Sequence, residues 1–128
     1  MITLTLNDIF NAVPTLREIS TKEFPGFVTF KIARIIREFD KEIQLFETER
    51  EKIAYKFGEK DENGALIVLD NGNVKIPENK IAECNLELQE LFNTEIEINI
   101  SKLPIEIFET IEMTPLQAIN LEPIVDFE

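Results

Sequence analysis

Residues 27–57 read FVTFKIARIIREFDKEIQLFETEREKIAYKF. Within them apolar side chains recur at Ile32, Ile36, Phe39, Ile43, Phe46, Ile53 and Phe57, with Arg50 in the remaining slot. The steps alternate between four and three residues, which is the spacing of a heptad seam. The pattern predicts one helix over 27–57, about 45 Å long at 1.5 Å per residue. Ile35, Leu45 and Ala54 widen the stripe, and a wider stripe suits packing within a domain better than a bare two-stranded coil. Gly58 is expected to end the helix in the left-handed conformation that a C-cap prefers. Arg50 either sets register against a partner glutamate or reaches solvent from the end of the seam.

Working outward toward the C-terminus, Glu59–Gly64 reads as a loop. Residues 65–69 and 74–77 flank Asp70-Asn71-Gly72-Asn73, and Asn-Gly is the favoured pair for a type I′ turn. That turn sets Leu69 opposite Val74 and Ile67 opposite Ile76, all on one face of a hairpin. Pro77 and Glu78 open a helix over about 78–92, with Ile81, Cys84, Leu88 and Leu91 as its stripe and Leu86 and Phe92 beside it. The hairpin reverses the chain, so this helix is expected antiparallel to the long one. Residues 95–100 alternate Ile96, Ile98 and Ile100 with Glu95, Glu97 and Asn99, the period of a half-buried strand. Thr114-Pro115 reads as an N-cap followed by proline at the first helical position, starting a short helix near 115–120.

Toward the N-terminus, Ile2, Leu4 and Leu6 alternate with Thr3 and Thr5, which predicts a strand over 2–6 and makes it the natural mate of strand 95–100. Asn7 or Asp8 is expected to cap a helix over roughly 8–22. Pro14 lies inside that helix, so a kink or break is expected there. Phe24-Pro25-Gly26 marks the boundary before the long helix. No internal repeat stands out. The reading is one α+β domain over 1–128. It has a long helix and a shorter antiparallel helix linked by a β-hairpin, plus a small sheet from the N-terminal and C-terminal strands.

Charge is distributed unevenly. Residues 1–60 carry 10 acidic and 10 basic side chains, whereas the rest of the chain supplies the whole net charge of −12. Duplex binding rests on neutralising phosphates with Lys and Arg, so direct binding of nucleic acid is not expected. Arg34, Arg37 and Lys41 share one helical side, which reads as a solvated face among Glu38, Asp40 and Glu42. The N-terminus lacks a basic region followed by an apolar run, and no stretch approaches a membrane span, so neither export nor membrane association is expected.

The chain has no histidine and one cysteine, Cys84. That removes the commonest general base and most thiol or metal chemistry. Cys84 falls on an apolar helix stripe, where a thiol behaves as a small hydrophobe. Asp61-Glu62-Asn63-Gly64 lacks the register of a calcium loop, which needs glycine sixth and a bidentate glutamate twelfth. The four glycines are scattered as chain breakers and make no phosphate loop. No catalytic residue, metal site or cofactor is expected, and the chain reads as non-enzymatic.

Glu83, Glu87 and Glu90 lie on one side of the third helix, and Glu95 and Glu97 on one face of the following strand. Together they are the candidate acidic face. It either keeps the protein soluble or steers it toward a basic protein surface, as a mimic of a phosphate backbone would.

The chain resembles an uncharacterised family of phage and prophage proteins from low-GC Gram-positive hosts. The likeness rests on KFGEKDENG at 56–64, GNVKIPEN at 72–79, ELFNTEIEI at 90–98 and TPLQAINLEPI at 114–124. It implies a small late or accessory phage protein and carries over no catalytic residue. Two functions follow as expectations. The first is a protein-binding virion or tail component, or an assembly factor. Its partner is a phage structural protein, with self-association through the seam as a further option. The second is an acidic inhibitor of a host nucleic-acid-targeting defence system, of anti-CRISPR or anti-restriction type. Either places the protein in the cytoplasm of the infected bacterial host or in the virion.

Overall fold

A computed structural model describes residues 1–127 and shows a mixed α and β chain. Strand β1, Ile2–Thr5, leads directly into helix α1, Leu6–Ile19. The cap is Thr5, upstream of the Asn7 or Asp8 expected from sequence. The Asp8 N–H donates to the Thr5 hydroxyl at 3.1 Å, and the Thr5 N–H donates to the Asp8 carboxylate at 3.1 Å. This reciprocal capping box draws Leu6 out of the strand and into the helix. Pro14 neither stops nor interrupts α1. It sits on the exposed side, while Ile9, Ala12, Val13, Leu16 and Ile19 are all buried, so packing outweighs the roughly 3 kcal/mol that an interior proline costs.

Helix α2 spans Gly26–Phe57 without a break. It supplies residues to both of two compact units. The first unit is Met1–Ile43 with the chain from Thr94 onward, and the second is Gln44–Asn93. In the first unit, β1 pairs antiparallel with β2, Glu95–Ile98, setting Ile2 opposite Ile98 and Leu4 opposite Ile96. The strand ends short of the expected residue 100, because the Ile100 N–H turns back to the Ile98 carbonyl at 2.9 Å. Strand β3, Leu103–Pro104, pairs in parallel with β4, Val125–Asp126. Helix α4, Pro115–Leu121, has the expected Thr114 cap, completed by Gln117. It meets α1 through two polar contacts: Gln117 Nε2 donates to the Glu18 carboxylate at 2.7 Å and Asn120 Nδ2 to the Thr15 hydroxyl at 3.3 Å.

In the second unit, the segment between helices differs most from expectation. The Glu59 N–H donates to the Lys75 carbonyl (2.8 Å), the Lys75 N–H to the Ile67 carbonyl (2.9 Å), and the Ile67 N–H to the Glu59 carbonyl (2.9 Å). Three extended segments eight residues apart thus close a ring. Their turns repeat with the same spacing: Gly64 donates to Asp61 (3.0 Å), Gly72 to Leu69 (2.9 Å) and Lys80 to Pro77 (2.9 Å). The sequence does contain an internal repeat, with Asp61-Glu62-Asn63-Gly64, Leu69-Asp70-Asn71-Gly72 and Pro77-Glu78-Asn79-Lys80 as its three turns.

The expected hairpin is corrected accordingly. Among the described residues only glycines have positive φ, Gly64 at 81° and Gly72 at 85°, so Asn71 cannot occupy a type I′ turn. The loop is instead three residues long, with Gly72 as the left-handed bulge residue, and Val68 rather than Leu69 lies opposite Val74. A shift of one residue turns the predicted inner face over. In the third turn Lys80 replaces glycine and has φ of −113°, so the chain runs on through a 3-10 turn, Glu78–Lys80, into helix α3, Ile81–Phe92.

Gly58 is also corrected. It is not left-handed. A Cβ there would lie 2.6 Å from the Ala54 carbonyl oxygen, 2.6 Å from Leu66 Cδ2 and 2.7 Å from Val74 Cγ1. Gly58, Leu66 and Val74 are equivalent positions of the repeat, and the three segments converge only because the first lacks a side chain.

Candidate functional site

The candidate site is the second unit, and its residues come from the last turns of α2, the three-turn ring and α3. Phe46 packs against Phe92 with ring centroids 4.8 Å apart, and Lys56 donates to the Glu87 carboxylate at 2.6 Å. These two contacts tie α2 to α3. Where α2, the ring and α3 do not fill the space, a groove of about 510 Å³ opens. Ile53, Val74, Ile76 and Leu88 form its half-buried apolar lining, and Arg50 stands at its edge.

The seam residues divide by burial. Ile32, Phe39, Phe46 and Phe57 are buried, Ile36, Ile43 and Ile53 are half-buried, and Arg50 is exposed. Arg50 pairs with Glu47 on its own helix at 2.8 Å. Ile35, expected only to widen the stripe, is among the most deeply buried side chains. Leu45, expected beside it, is 62% exposed. Leu86 and Ile81 of the α3 stripe also face solvent, as do Val68, Leu69 and Tyr55. In this unit only Phe46, Phe57 and Cys84 are buried apolar side chains.

The acidic residues fall in both units. Glu83, Glu87 and Glu90 are on α3 in the second unit, and Glu95 and Glu97 are on β2 in the first. Glu95 and Glu97 lie opposite Thr5 and Thr3 and are exposed. Glu87 is neutralised by Lys56. The hydrogen bond to Glu87 raises the Lys56 pKa above the ordinary lysine value; burial opposes it, and the charges of Glu87 and Glu83 add to the rise. Burial, followed by the nearby Glu87 charge, pushes the Cys84 thiol upward too, away from thiolate reactivity.

Among the described residues no group of three or more Cys, Asp or Glu side chains is placed to hold a metal ion. No described helix is long and apolar enough to cross a membrane. Sequence reasoning missed Val74 and Ile76 as groove residues, and the eight-residue spacing was the signal that would have placed them. Compared with protein-family models, with curated proteins and with solved structures, the chain matches none.

Proposed function

We propose that the chain is a phage-encoded, non-catalytic protein that acts by binding another protein, as a virion or tail component or an assembly factor. The observation that carries this reading is the apolar balance of the second unit. Six large apolar side chains there are exposed (Leu45, Tyr55, Val68, Leu69, Ile81 and Leu86) against three that are buried, and the others, such as Ile53, Leu66, Val74 and Leu88, are only half-buried. An unpartnered domain normally hides more apolar surface than it displays, and displayed apolar surface marks an interaction site. The antiparallel pairing of α2 with α3 is part of the same reading, since it holds the groove open between them. The family resemblance supplies the phage setting.

The occupant is a protein surface that offers apolar side chains to this unit. The test is affinity capture from phage-infected cells with the full chain, with a Val68→Glu/Leu86→Glu variant, and with a Leu116→Glu control in the first unit. The reading expects one stoichiometric partner, kept by the control and lost with the double variant. Equal capture by all three, or none by any, overturns it.

The defence-inhibitor reading draws on the bare carboxylates Glu95 and Glu97. The Lys56–Glu87 pair counts against extending that charge along α3.

A further inference from the structure

We propose that the first unit carries a phosphate-class oxyanion site built from Lys31 and Arg34 of α2 with Asn99 and Ser101 beyond β2. The four residues line a hollow of about 220 Å³ whose floor includes the buried Ile35 and Ile100. This site is separate from the docking surface of the second unit.

In a chain whose acidic side chains outnumber basic ones by 25 to 13, Lys31 and Arg34 stand side by side with no ion pair among the described residues. Two of the three acids expected to screen this helix face are engaged elsewhere. Asp40 forms a two-pronged pair with Arg17 at 2.9 and 3.0 Å, and Glu38 pairs with Lys41 at 3.1 Å. Among the described residues, the side chains of Lys31, Arg34, Asn99 and Ser101 make no hydrogen bond or ion pair. Lys31 and Arg34 are three residues apart on one helix face, where like charges repel.

The chemistry of the set fits an anion. An ammonium, a planar guanidinium, an amide and a hydroxyl all offer donors, and no carboxylate lines the hollow. Asn99 and Ser101 flank the buried Ile100, and the tight Ile100-to-Ile98 hydrogen bond fixes the backbone that presents them. A guanidinium alone satisfies a carboxylate with two parallel bonds. The additional donors here favour a tetrahedral oxyanion, which has more oxygens to satisfy.

The test is a titration of the full chain with inorganic phosphate at constant ionic strength, read by amide NMR shifts and calorimetry. Saturable shifts centred on Arg34, Asn99 and Ser101 are expected. Arg34→Gln and Lys31→Gln should each weaken binding by about tenfold or more, as loss of a charge-assisted hydrogen bond does. Arg37→Gln, outside the hollow, should leave binding within about twofold. Acetate at matched ionic strength should bind more weakly than phosphate. Non-saturating shifts, equal weakening by Arg37→Gln, or acetate binding as well as phosphate would each overturn the proposal. All three positions are exposed, so these variants report on binding without disturbing the core.

Discussion

The two units bury apolar side chains very differently, although one helix runs through both. Of the 21 buried apolar side chains among the described residues, 18 belong to the first unit and three to the second. Along α2 the seam pattern is unchanged from Ile32 to Phe57, yet Phe39 is fully buried while Ile53 is only half covered. A heptad stripe therefore shows which side of a helix is apolar, and not how completely its neighbours cover it. Where the covering is thin, the uncovered side chains are available to a partner, and the functional proposal rests on that difference.

The sharpest way to break the comparison is to truncate a buried side chain of the first unit and an exposed one of the second. Phe39→Ala in the first unit should cost about 3–5 kcal/mol, read as a shift of the urea midpoint. Leu86→Ala in the second should stay within about 0.5 kcal/mol. Similar losses at the two sites would erase the distinction.

Gly58→Ala probes what holds the second unit together in place of a core. The added methyl meets the Ala54 backbone, Leu66 and Val74, and should destabilise by about 1–3 kcal/mol. Gly26→Ala, where a Cβ meets nothing within 4 Å, should be neutral or mildly stabilising. Gly72→Ala forces a side chain into φ near 85° and should cost about 1–2 kcal/mol, with melting temperature as the readout.

The smallest effect is expected at the exposed Lys56–Glu87 pair. The folded pKa of Lys56 lies above its ordinary value of 10.5, so its contribution is complete below that pH. The contribution is lost as pH rises through the raised value. Solvent screens the pair, so Glu87→Gln should move the urea midpoint little at neutral pH and less still in high salt. A large shift would mean that the second unit relies on this ion pair.

Local signals made part of this legible. Alternation at Ile2, Leu4, Ile96 and Ile98 marked two strands that do pair, and Thr114-Pro115 marked the start of α4. The Thr5 cap was equally readable from Thr-x-x-Asp, but the apolar alternation through Leu6 drew that residue into the strand. Asn71-Gly72 suits both a two-residue and a three-residue loop. Its register is decided by the ring through Glu59 and Lys75, which no local reading reaches. The repeat was hidden because its equivalent inner residues are as unlike as Gly58, Leu66 and Val74, and because Lys80 replaces the third glycine. The pairing of Leu103 with Val125 is two residues long and non-local, and leaves no periodicity to read. For the site, the acids and the seam were visible as residues. Exposure at Leu45, Val68 and Leu86 was not, because an apolar residue looks the same in sequence whether covered or bare.

The central claim is that the first unit is a packed scaffold and the second a thinly cored face completed by a partner. Hydrogen exchange of the full chain, free and in the complex captured from infected cells, tests it most directly. The account expects amides of Ile81–Phe92 to exchange faster than those of Leu6–Ile19 in the free protein, and to slow markedly in the complex. Equal rates in the free protein, or slowing confined to the first unit, would contradict it.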